Sequence, residues 1–448
     1  MENLAEFLDQ GSDDQANEVM NTPLGHTLMN IVFSTVRGIV LAKTSGTIFQ
    51  KSLLPVLDAG QVFKFEQGQP FVAALTISVY LRLSLLLIAM RYNWELKDWP
   101  NFSFEDKFAD ENELFKKAAK ELRQLLGGYP PAEVQELIGR LNADEILNSS
   151  LIEGESYQKA DLHRALKKRL QKNEAHQVYF KTSTALSKLA LFLPSSFVLA
   201  LDDKEIFTIQ ALYLSDRNPS ILGKWRNSHA DMHIVSGQNG REKIHFSAPP
   251  ARKVRREMTD FIDWYNKTAQ LGAIEKAAIG HLYFESIHPL VDGNGRVGRY
   301  LMLKSLYRSL GYFSPINLSQ AILENLDAYY SAFQKAQHSN ELTAWISYFA
   351  TIILRAQELA KSSIQLEFRR AALHRNFETI LHPRQWKVLE KMFDSGEKGF
   401  TGGLTASKYM SMTKASKATA TRDLQQLTEL GILKPEYKGR STCYQLAD

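Results

Sequence analysis

Apolar residues recur at helical spacing through much of the chain, over residues 112–126, 132–141, 206–214, 254–265, 274–287, 298–310 and 342–359. A side chain returning to one face every three or four positions predicts helices packed on a shared core. Gly127-Gly128 and Pro130-Pro131 separate the first two segments, because these residues break helical backbone. The pattern resumes through Ala143, Asp144, Glu145, Ile146 and Leu147 into Ser149-Ser150-Leu151-Ile152-Glu153, where Gly154 predicts a helix stop. Periodicity switches to two in residues 232–237 and 243–246, around Asn239-Gly240. That is a hairpin signal. From residue 383 the order is helix (385–392), helix (405–411), helix (416–430), then short strands at 432–434 and 442–446 flanking Gly439-Arg440. This order predicts a winged helix-turn-helix. The fold class expected is mainly α, with one β-hairpin in a helical core, an N-terminal helical domain and the C-terminal winged module.

Four regions follow. Residues 1–90 are an N-terminal extension with no readable chemistry. The sequence leaves open an added module or upstream sequence ahead of a start at Met90. Residues 91–181 open on clustered Trp94, Trp99, Pro100 and Phe102 and form the N-terminal helical domain. Residues 182–365 form the central helical domain, and 383–448 the winged module.

Composition narrows the class. The 448 residues are 44% hydrophobic and 23% charged, with a formal charge of +5. These are ordinary values for a globular chain and carry only a mild basic excess. The single cysteine, Cys443, excludes an intramolecular disulfide and a Cys-rich zinc finger. The N-terminus is acidic, unlike a secretory leader. The apolar stretch 70–90 is long enough for a membrane span but carries Arg82 near its middle. A charge there is costly, so a buried or partner-facing helix is expected. The expected location is cytoplasmic. A homodimer is left open.

The chemistry concentrates in His288-Pro289-Leu290-Val291-Asp292-Gly293-Asn294-Gly295-Arg296-Val297-Gly298-Arg299. Two glycines flanking Asn294 let backbone N–H groups approach an anion, and a helix begins just after them, whose free N–H groups attract phosphate. Arg296 and Arg299 lie three apart, on one helix face, and guanidinium forks suit phosphate. Asp292 can hold a Mg²⁺ shared with phosphates. His288 can take a proton from an attacking hydroxyl. The composition is that of a phosphoryl- or nucleotidyl-transfer site. His281, Glu285 and His288 also read as a zinc pattern, but the spacing fits it poorly.

This run resembles the Fic family signature, His-Pro-Phe-x-(Asp/Glu)-Gly-Asn-Gly-Arg-x-x-Arg, with Leu290 in place of the phenylalanine. The resemblance implies a Fic-type helical core and a protein adenylyltransferase. Such an enzyme moves AMP from ATP, with Mg²⁺, to a Ser, Thr or Tyr hydroxyl of a target protein or of itself. It implies His288 as base, Asp292 as Mg²⁺ ligand, Gly293, Asn294 and Gly295 as anion nest, and Arg296 and Arg299 as phosphate clamps. It also implies Tyr329, Tyr330 and Gln337 at the nucleoside. The hairpin, with Ile244, His245 and Phe246 assigned to the ATP site, becomes the flap that registers the target backbone. Ser149 to Gly154 resembles the family's inhibitory motif, (Ser/Thr)-x-x-x-Glu-(Gly/Asn), which implies that Glu153 pairs with Arg299 and displaces the γ-phosphate. In some relatives the same glutamate supports AMP removal, which leaves a bifunctional enzyme open.

The C-terminal module resembles the winged-helix ends of bacterial Fic proteins. Lys417, Thr419, Thr421 and Arg422 on its third and last helix and Arg440 on the wing are the candidate DNA contacts. From residue 400 the balance is seven Lys and Arg against four Asp and Glu, a modest excess, so a protein-interaction role stays open. The competing function is a DNA-binding regulator whose Fic domain senses nucleotide. Transfer of UMP or phosphate also stays open.

Overall fold

The structure, a computed structural model, describes residues 91–171, 181–228, 232–236, 243–268, 270–396, 400, 402–436 and 442–447. The stretch 70–90, the predicted hairpin turn at Asn239-Gly240, and Lys438 and Arg440 lie outside the described residues. The fold is mainly helical. In chain order the helices are α1 (Ala109–Gly127), α2 (Pro131–Ile152), α3 (Lys159–Leu170), α4 (Lys181–Ser196) and α5 (Asp203–Tyr213). Strands β1 (His233–Ser236) and β2 (Lys243–Ser247) follow, then α6 (Ala251–Lys267), α7 (Ala273–Ile287), α8 (Asn294–Leu310), α9 (Leu318–Leu323), α10 (Leu326–Ala336) and α11 (Thr343–Phe377). The chain closes with α12 (Pro383–Asp394), α13 (Ala406–Thr413), α14 (Lys417–Glu429), β3 (Leu433–Pro435) and β4 (Tyr444–Leu446). Among the described residues no helix is long and apolar enough to cross a membrane.

The chain divides into two compact units. Among the described residues the first comprises 91–102, those of 227–253, and Gln334–Glu341. Within it β1 and β2 pair antiparallel, with a register shift between Ile234 and Val235. Tyr92 packs edge-on against Phe246 and stacks on His338. Trp94 Nε1 donates to the Ser247 carbonyl at 2.8 Å. Tyr92 and Trp94 thus tie down the returning strand of the hairpin.

The second unit comprises Ser103–Arg226, Val254–Phe333 and Leu342–Asp448. At its centre α7 is buried along its whole length and α8 along most of it. A helix without a polar face belongs inside a core, and these two carry the signature run between them. Two elements differ from the sequence expectation. The predicted break after residue 141 is absent, and α2 runs unbroken for 22 residues from Pro131 at its first turn. Asn142, at that junction, is buried and donates to the Ala190 carbonyl at 2.9 Å. The predicted helix ending at 359 continues as the 35-residue α11. Ala360, Ile364 and Phe368 extend its apolar face and pack with Leu122, Leu126, Leu137 and Leu141 of α1 and α2. In the C-terminal part α12, α13 and α14 precede an antiparallel β3–β4 ribbon. Val388, Leu389, Tyr409, Leu424, Leu427 and Leu433 close one apolar cluster beneath them.

Candidate active site

His288 ends α7 in the left-handed region, at φ 50° and ψ 58°. Pro289 lacks the N–H that would continue the helix. His288 N still donates to the Phe284 carbonyl at 3.0 Å, while Arg226 Nε donates to the His288 carbonyl at 2.7 Å and Nη2 to the Ile287 carbonyl at 3.2 Å. Burial lowers the Arg226 pKa to about 10. The guanidinium satisfies carbonyls that the helix end leaves open. Leu290 is fully buried, so leucine fills the anchoring position that phenylalanine holds in the signature. Asn294 fastens the loop, accepting from Leu290 N and donating to the Leu290 carbonyl, both at 2.9 Å.

Gly293 caps α8 at φ 90°, a conformation that favours glycine. Gln210 Nε2 donates to the Asp292 carbonyl at 3.0 Å, steadying the turn. The loop therefore presents the open first turn of a helix, as an anion site requires. Gly295 allows a second close approach: a Cβ there would collide with Glu153 Oε1. The carboxylate of Glu153 rests against the first turn of α8.

Both arginines of the run are buried and paired with carboxylates. Arg299 Nη2 donates to Glu153 Oε1 at 2.7 Å and to the Ser149 carbonyl at 2.8 Å, and its Nε donates to Ser149 Oγ at 2.9 Å. Burial alone would weaken the Arg299 charge, but Glu153, Tyr329 and Tyr213 together outweigh it, and the pKa is raised. Arg296 Nη1 donates to Glu155 Oε2 at 2.5 Å, and its Nη2 to Asp292 Oδ1 at 3.3 Å. Glu155 is also bound by Arg217 and by the Tyr157 hydroxyl. Burial opposes its ionisation, yet Tyr157, Arg296 and Arg217 together hold the carboxyl below its ordinary value. Between the two acids, Gly154 turns the chain at φ 78°, so that Glu153 faces Arg299 and Glu155 faces Arg296. The sequence reading anticipated the first pair and missed the second, along with Arg226 and Gln210.

Asp292 keeps 40% of its side chain exposed and stands 3.9 Å from Arg217 Nε. Its carboxylate, beside the glycine turn, is the group here that could hold a Mg²⁺. Among the described residues no group of three or more His, Cys, Asp or Glu could hold a metal ion. His281 is buried, and that burial, with the nearby Arg299 charge, lowers its pKa to about 3. Its Nε2 shares a hydrogen bond with the Tyr329 hydroxyl at 2.9 Å.

The remaining predicted residues divide. Tyr330 is exposed and its hydroxyl donates to the Ile152 carbonyl at 3.2 Å, one residue before Glu153. Tyr329 is only 3% exposed and packs with Phe333 and Phe349. It supports the site from the core side. Gln337, Ile244, His245 and Phe246 belong to the first unit, where Gln337 and Phe246 are buried and Ile244 is exposed. In the C-terminal part Lys417, Thr421 and Arg422 lie exposed along α14 and Thr419 is half-buried, with its hydroxyl engaged by the Ser416 cap. Asp423, on the other face, is buried and bound by Arg384 and Tyr409.

The loop between α7 and α8 thus sets a histidine at one rim and two buried arginines at the start of the following helix. The Fic/DOC family profile matches residues 200–306, and a domain of unknown function, DUF4172, matches residues 92–171. The chain is 33% identical over 92 residues to a probable protein adenylyltransferase of Aquifex aeolicus, covering 20% of this chain and 27% of that protein. It is 33% identical over 154 residues to protein adenylyltransferase fic-1 of Caenorhabditis briggsae, covering 34% of this chain and 27% of that protein. The chain thus spans roughly a quarter of the length of either curated relative. A Fic family protein of Desulfovibrio desulfuricans superposes with a TM-score of 0.42 at 16% identity, over 78% of this chain and 98% of that one.

Proposed function

We propose that this chain is a protein adenylyltransferase, transferring AMP from ATP to a hydroxyl side chain of a protein, and that it is held inactive at rest. The observation that carries the reading is the buried pair Arg296 and Arg299 behind the open first turn of α8, with His288 at the loop's other end. The chemistry is an in-line displacement. The target oxygen forms a bond to the α-phosphorus, the α–β anhydride bond breaks, pyrophosphate leaves, and His288 takes the hydroxyl proton. Asp292 would hold the Mg²⁺, which supplies charge neutralisation on the phosphates when bound. Arg296 and Arg299 balance the phosphate charge by pre-set hydrogen bonds.

Inhibition follows from occupancy. While Glu153 holds Arg299, a γ-phosphate loses that cation and meets a carboxylate instead. ATP can still enter, but out of line, and misplacement by about 1 Å costs on the order of 10²-fold in rate. Incubation with α-labelled ATP and Mg²⁺ tests the whole reading. Glu153→Gly should label itself or a target more than the parent, and adding His288→Ala should abolish the label. Label that persists without His288 would overturn the mechanism.

A second reading rests on the exposed row Lys417, Thr421 and Arg422 on α14, which supports a winged helix-turn-helix that contacts DNA. Retention on duplex DNA that falls steeply with salt, and falls further in Lys417→Glu, is the expected outcome. Salt-independent or absent retention leaves the module to protein contact.

A further inference from the structure

Resting on the adenylyltransferase reading, we infer that Glu285 is a positioning residue for His288, fixing the ring so that Nε2 is the atom that takes the hydroxyl proton. Glu285 stands one helical turn before His288 on α7, a spacing that puts the two side chains on one face. Glu285 Oε2 lies 3.7 Å from His288 Nδ1. Both side chains are sealed from solvent, with 7% and 11% of their surfaces exposed. His288 Nδ1 and Glu285 Oε1 are each buried without a hydrogen-bond partner among the described residues. A carboxylate in such a place is costly unless it meets a donor or a cation.

The surroundings offer few alternatives. From α8, Gly298 closes over the pair: a Cβ there would stand 2.6 Å from Glu285 Oε1 and 2.9 Å from His281 Nδ1. Gly298 occupies an unspecified position of the signature, and the bulk of Glu285 and His281 gives it a physical reason to be glycine. His281 stays neutral, its Nε2 engaged by Tyr329 and its Nδ1 buried without a partner beside Gly298, so it can offer Glu285 at most a neutral N–H and no positive charge. Tyr329 and Tyr330 both feel the Glu285 charge as one that opposes their own ionisation. Arg299 is committed to Glu153 and Ser149. That leaves His288, whose main chain is already fixed by Arg226 at 2.7 Å.

The separation of 3.7 Å is wider than a hydrogen bond, as is common for catalytic pairs before substrate engages them. A small ring movement brings Nδ1–H to the carboxylate. Nε2 then carries the lone pair, and the imidazolium formed on proton transfer sits beside a negative charge. The relation is that of an orienting acid to a histidine base.

The test uses the Glu153→Gly protein as parent. Glu285→Gln should lower kcat on the order of 10- to 100-fold while the KM for ATP stays within about twofold. Because removal of the negative charge makes the protonated ring less favourable, the acidic limb of the pH–rate profile should move to lower pH. Unchanged kcat, or a loss with an unmoved limb and a lowered Tm, overturns the inference. Should Glu285→Gln fail to fold, ¹⁵N-histidine spectra of the parent decide it, with His288 assigned by His288→Ala. The neutral ring should carry its proton on Nδ1, and the opposite tautomer overturns the inference. If Glu153→Gly makes no AMP adduct at all, the adenylyltransferase reading fails, while the tautomer still judges the Glu285 contact separately.

Discussion

Glu153 Oε1 accepts a 2.7 Å hydrogen bond from Arg299 Nη2, across 146 residues of chain. The contact joins the C-terminal end of α2 to the second turn of α8, and it commits the buried Arg299 guanidinium to an internal acid. Replacing Glu153 by glycine should have two opposite effects. The buried Arg299 loses its charge partner but keeps both Ser149 contacts, so the protein should lose about 1–3 kcal/mol of stability. ATP·Mg²⁺ should then raise the Tm of the variant more than that of the parent, because the freed guanidinium binds the ligand only in the folded state. Thermal melts with and without nucleotide check both signs. Equal ATP-induced shifts in the two proteins would count against the brake.

Glu155 makes the same kind of contact with Arg296, at 2.5 Å, and shares it with Arg217 and Tyr157. Glu155→Gln in the Glu153→Gly background should tighten ATP by about 3- to 10-fold, equivalent to roughly 1 kcal/mol. Calorimetric titration with ATP·Mg²⁺ measures it. Weaker binding would mean that Glu155 sets the aim of Arg296 rather than occupying it.

Gly295 gives a structural check on where the Glu153 carboxylate sits. A methyl at this position collides with Glu153 Oε1 and stands 3.1 Å from Arg299 Nη1. Gly295→Ala should lower the Tm of the parent by several degrees and that of Glu153→Gly by distinctly less, a positive coupling of about 1 kcal/mol in a double-mutant cycle. Additive effects would place the carboxylate elsewhere in solution.

How much of this was legible in sequence follows from how the residues are distributed. His288, Asp292, Gly293, Asn294, Gly295, Arg296 and Arg299 are contiguous, so helix end, tight turn and helix start could be reasoned from local rules alone, and each stands where those rules put it. Glu153 was legible only through its motif. Arg226 reaches the His288 carbonyl from 62 residues away, and Gln210 reaches Asp292 from 82. Nothing local marks either one, because their role is set by tertiary approach. Tyr329 and Tyr330 show the same limit from the other side. Adjacent residues on a helix point in different directions, and spacing does not say which one faces the core. In the fold, α2 and α11 run past the ends that the sequence pattern predicts, because the partners that bury Asn142, Ala360, Ile364 and Phe368 lie far away in the chain.

Arg226 should be intolerant of lysine. Its fork serves the carbonyls of Ile287 and His288 together, and an ammonium cannot span both with the same geometry. Arg226→Lys should destabilise by about 1–2 kcal/mol and lower kcat in the Glu153→Gly background by more than it raises KM, since it loosens the backbone that carries the base. A kcat equal to that of the parent would show that the His288 loop holds its shape without the fork.

The last prediction concerns pH. Glu145 lies on α2 one turn before Ser149, buried, accepting from Ser319 N at 3.0 Å and from the Ser319 hydroxyl. Burial raises its carboxyl pKa to about 7 from an ordinary 4.5, with the Ser319 hydrogen bonds and the Arg299 charge pulling the other way. Between those two values the folded protein binds the proton and the unfolded chain does not. The stabilising contribution is therefore complete below the unfolded value and lost as pH rises through the folded one. Glu145→Gln keeps an acceptor for Ser319 and cannot ionise. Its Tm relative to the parent should climb as pH goes from about 5 to about 8, by on the order of a few degrees. Because Glu145 sits behind Arg299, the same variant should blunt any loosening of the Glu153 contact over that range. A Tm difference that stays flat with pH would mean that Glu145 ionises freely in the fold, its burial relieved by Ser319 and Arg299.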